Sequence, residues 1–178
     1  MIITFSGLNG AGKTVTSKLL ADRLGWQWHG AGMFMRQLAK KKGMTISEFD
    51  AFVKQNPDID KELDQQISLL ADKNESLVVD GRLAWYFLPS SIKIFLTASE
   101  DVRVKRVFAV GREREVYSSY EESKHLLQKR IDITRNRWMQ LYGINGYDEN
   151  NFDIVIDTSN HTPEDTVNEI LSRIQDQL

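Results

Sequence analysis

Gly7-Leu8-Asn9-Gly10-Ala11-Gly12-Lys13-Thr14 spells the pattern G-x-x-x-x-G-K-[ST], directly behind the apolar run Ile2-Ile3-Thr4-Phe5. Glycines at these places permit backbone angles and a closeness of approach that a side chain forbids, so consecutive N–H groups can turn inward around phosphate oxygens. Lys13 is placed to reach the outer phosphates of a nucleoside triphosphate, and the Thr14 hydroxyl to ligate magnesium. The pattern carries this meaning between a strand and a helix, and both are readable. Ile2 to Ser6 is a short apolar strand, and Thr14 to Leu24 carries Leu19, Leu20 and Leu24 at helical spacing. The expected triphosphate contacts are therefore Gly7, Leu8, Asn9, Gly10, Ala11, Gly12, Lys13, Thr14 and Val15.

Outward from this loop, four further short apolar runs bounded by polar or glycine residues read as strands: Trp26 to His29, Leu77 to Asp80, Ile92 to Leu96 and Ile154 to Ile156. Their near-continuous apolar character is that of strands buried on both faces, and helical patterns lie between them. The expected fold is a three-layer α/β/α arrangement with a five-stranded parallel sheet. Thr45-Ile46-Ser47-Glu48 has capping-box spacing ahead of Phe49, Phe52 and Val53. Thr162-Pro163-Glu164-Asp165 sets a capping hydroxyl before a proline at the first helical position, and Val167, Ile170, Leu171 and Ile174 continue one apolar stripe.

At 178 residues the chain has the length of one domain, and its acids outnumber its bases by enough to give a net charge of −2 and a pI near 5.9. That balance does not favour nucleic acid or an anionic membrane surface, so any basic site must be local. The absence of cysteine excludes disulfides, thiolate catalysis and cysteine metal ligands, and suits a reducing cytoplasm. No signal segment, membrane span, repeat or low-complexity linker is readable, and the expectation is a soluble cytoplasmic monomer.

The informative residues outside the loop are arginines at element ends. Arg36 lies just beyond the second strand and Arg82 directly after the third, in Val79-Asp80-Gly81-Arg82. In an open parallel sheet ligands bind outside the carboxyl ends of the strands, which puts Arg36 and Arg82 on the edge that carries the loop. Arg130 and Arg137 are seven residues apart, two turns along one helical face, with Asp132 and Arg135 nearby. Planar guanidinium groups grip phosphate oxygens two at a time, so arginines converging from separate elements form a phosphoryl clamp. Arg103 to Glu115 is dense in charge, with Arg106, Arg112 and Arg114 beside Gly111, and reads as a mobile flap closing over the triphosphate. Asp80 ends its strand where an acid ordering a magnesium shell belongs, together with Thr14. His29, His125 and His161 share no metal-binding or catalytic spacing. Trp85-Tyr86-Phe87 is expected in the core, and Trp138 either in the core or stacking on a base.

These residues resemble a P-loop nucleoside monophosphate kinase, most closely the short cytidylate kinases of archaeal type, over nearly the whole chain. The resemblance rests on Ile2 through Thr14, Ala31-Gly32 with Arg36, Asn56-Pro57-Asp58-Ile59-Asp60-Lys61-Glu62-Leu63-Asp64 and Asp80-Gly81-Arg82-Leu83-Ala84. It continues through Val102-Arg103-Val104-Lys105-Arg106, Leu141-Tyr142-Gly143-Ile144, Tyr147 and Asp157-Thr158-Ser159. It implies magnesium-dependent transfer of the γ-phosphoryl group of ATP to CMP or dCMP. Lys13, Arg36, Arg82, Arg130 and Arg137 are the implied catalytic set, with Arg106 and Arg112 on the lid side of ATP. It further implies an acceptor-binding helical region near residues 33–66 and a lid near 106–128. Met33 stands where this type usually carries an acid, which bears on the acceptor base. Adenylate kinase, a small-metabolite kinase and a non-catalytic nucleotide-binding module are the competing assignments. A monophosphate acceptor, with its second pKa of about 6, needs no general base, in keeping with the lack of a His–carboxylate pair.

Overall fold

The computed structural model describes residues 1–72, 75–110 and 119–177. Strands and helices alternate as β1 (Ile2–Gly7), α1 (Lys13–Leu24), β2 (Gln27–Gly30), α2 (Ala31–Lys41), α3 (Ile46–Gln55), α4 (Pro57–Ser68), β3 (Leu77–Asp80), α5 (Ala84–Phe87), β4 (Ile92–Thr97), α6 (Glu100–Val110), α7 (Tyr120–Tyr142), β5 (Ile154–Asp157) and α8 (Pro163–Ile174). The strands form one sheet in the order β2-β3-β1-β4-β5, every neighbouring pair parallel. All five expected strands are present, with ends shifted by a residue at most places; β2 begins at Gln27 because Trp26 pairs back onto α1 through its N–H to Ala21 O, 2.9 Å.

Strand β1 is central, and its alternation builds both faces. Ile3 and Phe5 are fully buried in a cluster with Leu20 and Ala21 of α1 and Val167, Ile170 and Ile174 of α8. Thr4 and Ser6, equally buried, serve the other face by hydrogen bonding: Thr4 Oγ1 lies 2.9 Å from Ser91 Oγ, and Ser6 Oγ donates to Arg82 O at 2.6 Å. On that second face Leu77 and Val79 pack with Ile67 of α4 and with Ala84 and Leu88 around α5. The three layers of an α/β/α domain follow from these two clusters.

Helices α2, α3 and α4 form an insert between β2 and β3 with a small core of its own, built from Met35, Ala39, Ile46, Phe49 and Val53. The capping box read from sequence starts α3: Glu48 N–H donates to Thr45 Oγ1 at 3.1 Å, and Thr45 N–H to Glu48 Oε2 at 2.7 Å. Thr162 and Asp165 repeat the device at α8, with Pro163 in its first turn.

One expectation is corrected. Over Arg103 to Val110 the charged segment is the body of helix α6 and not a flap, and Arg103 is buried, its Nε donating to Ala98 O at 3.0 Å. Burial pushes its guanidinium below the ordinary arginine value, with Glu100 opposing. Its backbone closes on the loop: a Cβ at Gly10, whose φ is +85°, would sit 2.6 Å from Arg103 O. Residues 120–128 of the expected lid are the first turns of α7, started by Ser119, which accepts from Glu122 N–H at 3.1 Å.

Candidate functional site

The strand order turns back at β1, and there a crevice opens beyond the carboxyl ends of the strands. A cavity of about 330 Å³ lies at that place, walled by the loop after β1, the starts of α1 and α2, the turn after β3, one face of α7 and the loop into α8. Gly7 ends β1 with φ +129°, and a side chain there would drive its Cβ to 1.9 Å from Leu96 O, so glycine alone lets the chain leave β1 in this direction.

Asn9 through Val15 line the cavity, while Gly7 and Leu8 lie behind it and act through their carbonyls. Lys13 Nζ donates to Gly7 O at 2.9 Å and to Leu8 O at 2.7 Å, which folds the side chain back over its own loop. Thr14 Oγ1 donates to Asp80 Oδ2 at 2.6 Å, joining the first turn of α1 to the end of β3 across adjacent strands. Asp80 is 6 % exposed and its backbone is fixed on both sides by pairing with Phe5 and Gly30. A hydroxyl and a carboxylate at hydrogen-bond distance are hard oxygen donors of the kind magnesium takes, together with phosphate oxygens and water. Among the described residues no cluster of three or more His, Cys, Asp or Glu could hold a metal independently of a substrate.

Arg36, Arg82, Arg130 and Arg137 all line this cavity, from three separate parts of the fold. Arg82 is held at several points: Nη1 donates to Thr134 Oγ1 at 2.9 Å and to Tyr147 Oη at 3.4 Å, and its guanidinium lies 5.7 Å from the centre of the Trp138 ring. Arg130, Thr134 and Arg137 are spaced four and three residues apart, so one stripe of α7 supplies two cations and the hydroxyl that orients a third. Arg137 is 4 % exposed. The nearby Arg135 and Asp132 lie on the opposite side, paired to each other at 2.7 Å in solvent.

Arg106 also reaches the cavity wall, and its guanidinium is engaged: Nη1 donates to Thr158 Oγ1 at 2.9 Å, and Nη2 to Thr158 O at 2.7 Å and His161 O at 3.5 Å. Arg112, Gly111 and Arg114 lie outside the described residues, as does the side chain of Met33. Trp85 is in the core against Phe152, Phe87 is half-buried, and Tyr86 is 39 % exposed, turned outward against Tyr142. Of this trio none lines the cavity, whereas Trp138 does.

Six cationic side chains, Lys13, Arg36, Arg82, Arg106, Arg130 and Arg137, thus share the cavity with two carboxylates, Asp64 and Asp80. A chain of net charge −2 has gathered a local positive field, and a concave low-dielectric wall concentrates it on anions. Residues given no role from sequence complete the wall, Asp64, Thr158 and His161, and buried Thr134 orients Arg82 from α7. Nothing in spacing marks them, since each acts through a partner distant in sequence; Asp64 and Thr158 stood inside passages matched by resemblance, without a role.

The sequence model of the cytidylate kinase-like family matches residues 2–160. A cytidylate kinase of Methanobrevibacter smithii is 34 % identical over 98 % of this chain and 99 % of its own length. A cytidylate kinase of Pyrococcus horikoshii is 37 % identical over 92 % of this chain and 83 % of its own. Among solved structures, a shikimate kinase from Bacteroides thetaiotaomicron superposes with a TM-score of 0.67 at 13 % identity over 98 % of both chains, a likeness of fold.

Proposed function

This chain belongs to the cytidylate kinase-like family, and on that footing we propose that it transfers the γ-phosphoryl group of ATP to CMP or dCMP, yielding ADP and the diphosphate. The observation that carries the reading is that one cavity is lined by the glycine-rich loop and by Arg36, Arg82, Arg130 and Arg137. One phosphate site suits an NTPase; a loop for a triphosphate with several further arginines suits a kinase whose acceptor is itself a phosphate ester.

On this reading the loop N–H groups from Asn9 to Thr14 cradle the triphosphate. Lys13 leaves its hold on Gly7 O and Leu8 O to meet the outer phosphates, exchanging two carbonyl acceptors for a charge-assisted contact. Thr14 and Asp80 would hold magnesium, which supplies charge neutralisation between the β- and γ-phosphates. The arginines seat the acceptor phosphate in line with the γ-phosphorus, and charge developing on the transferred group is stabilised by Lys13, Arg130 and Arg137. The acceptor oxygen is already ionised near neutral pH, so its nucleophilicity requires no base from the protein. The insert of α2 to α4 carries Arg36 and closes on the acceptor.

A coupled assay of ADP release with CMP, dCMP, UMP, AMP and GMP tests this. CMP and dCMP are expected to give the highest kcat/KM. Stimulation by none of the five would overturn the kinase reading, and preference for AMP would move the chain to another acceptor.

A further inference from the structure

The acceptor arginines account for a phosphate but say nothing of the base attached to it. The residue that can read a base is Asp64. It lines the cavity from α4, with Ile67 beside it one turn on. Of the two carboxylates in the described wall, Asp80 is committed to Thr14, while Asp64 stands in the α2–α4 insert that also carries Arg36. Its Oδ2 accepts a hydrogen bond from the Tyr142 hydroxyl, from the last residue of α7, 78 positions away. A phenol that donates to a carboxylate oxygen fixes the orientation of the group in its half-buried place. Apolar surface from Met35, Ile67 and Leu83 shares the cavity, as a flat heterocycle beside Asp64 would need.

Resting on the acceptor reading above, we infer that Asp64, oriented by Tyr142, accepts a hydrogen bond from the exocyclic 4-amino group of the cytosine base and is the residue that separates CMP from UMP. The chemistry is asymmetric at that edge. Cytosine presents an N–H donor to a carboxylate, whereas uracil presents a carbonyl oxygen, which a carboxylate repels. Ring size and sugar phosphate are the same in both, so a group that discriminates them must act on the edge formed by N3 and the 4-position, and at the 4-position the amino group of cytosine is replaced by a carbonyl. A carboxylate rejects uracil by repulsion as well as by the missing bond, the combination that gives strong selectivity.

Steady-state kinetics of Asp64→Asn with CMP and UMP, at saturating ATP, test the inference. Asparagine is nearly isosteric, and its amide can donate to the uracil carbonyl. The expected result is a fall in kcat/KM for CMP of about ten-fold or more, carried mainly by KM, with UMP unchanged or improved. KM for ATP is expected to stay as in the wild type, which shows that the fold and the loop are intact. A fall of the same factor for CMP and UMP would overturn the inference, because it would mean that Asp64 acts only by steadying an arginine or α4. Should Asp64→Asn not fold, Tyr142→Phe carries the same readout: CMP loses affinity through a freed carboxylate while UMP does not, and an equal change in both refutes the role. A wild-type enzyme that uses CMP and UMP equally well sinks this inference and leaves the kinase reading intact; a wild type that uses neither sinks the cytidylate reading on which the inference rests.

Discussion

Thr158→Val probes how the ATP side of the cavity is held together. Thr158 is 3 % exposed, at the end of β5, and its hydroxyl stands between the loop and α6. It accepts from Arg106 Nη1 at 2.9 Å and lies 3.1 Å from both Ala11 O and Thr97 O. One hydroxyl proton can satisfy one carbonyl at a time. Thr97 O already accepts the Thr158 N–H at 2.8 Å, so the proton goes to Ala11 O, inside the loop. Valine keeps the branched shape and puts a methyl group where the hydroxyl was, so the loss is of hydrogen bonds and not of volume. The bond to Ala11 O is a neutral one in a buried place, and losing it costs about 1 kcal/mol. The bond from Arg106 is charge-assisted, but the half-buried guanidinium keeps Thr158 O at 2.7 Å and can recover water for the freed N–H, so its loss adds less than about 1 kcal/mol. The sum, about 1–2 kcal/mol, corresponds to a fall in Tm of about 2–8 °C for a chain of this length. Because both lost contacts steady the loop and α6, KM for ATP should rise about three- to ten-fold while KM for the acceptor stays constant. Calorimetry and initial rates at varied ATP measure both. A Tm within about 1 °C of the wild type together with an unchanged KM for ATP would refute the coupling between Arg106, Thr158 and the loop.

Lys13→Met should keep the fold, since the bonds from Nζ to Gly7 O and Leu8 O stay within its own loop, and should lower kcat about 10²- to 10³-fold; wild-type turnover would remove Lys13 from the chemistry. Chelation should abolish phosphoryl transfer, and Asp80→Asn should raise the magnesium concentration needed for half-maximal rate; a chelator-resistant rate would contradict the Thr14–Asp80 assignment. Acid should destabilise the fold through its capping boxes. The backbone N–H and the hydroxyl of Thr45 hold Glu48 below the ordinary carboxylate range, and the Thr162 hydroxyl and N–H do the same to Asp165. A depressed folded value means stability present at neutral pH and lost as pH falls through it, so Glu48→Gln and Asp165→Asn should flatten the acid limb of a Tm–pH profile, and an unaltered limb would count against the caps.

The fold was legible where local chemistry and burial coincide. β1, β3 and β4 are short, apolar and central, and a strand buried on both faces has no other composition open to it. Thr45 and Thr162 announced their helices because a cap is a property of four consecutive residues. Arg103 was misread for the opposite reason. A charged residue near a glycine and four more charges has the composition of a solvated flap, and only the approach of α6 to Gly10, at a distance no side chain at residue 10 could tolerate, turns it inward.

Within the site the same division holds between groups that carry charge and groups that aim it. Lys13, Asp80 and the arginines stand at element ends or on one helical stripe, so sheet topology and helical period suffice to bring them to one edge. What aims them comes from far along the chain: Ser6 and Thr134 for Arg82, Thr158 for Arg106, Tyr142 for Asp64. These partners are hydroxyls, which carry no signal in composition and fit any turn or helix. Arg82 shows why they matter. A guanidinium free to swing would spread its charge over the cavity, whereas one held by its own backbone through Ser6 Oγ, by Thr134 and Tyr147 at the head and by the Trp138 ring points before a substrate arrives. Preorganised charge of this kind stabilises a developing anion without reorganising during the reaction, and phosphoryl transfer, which asks for little covalent chemistry from the protein, is the reaction that gains most from it.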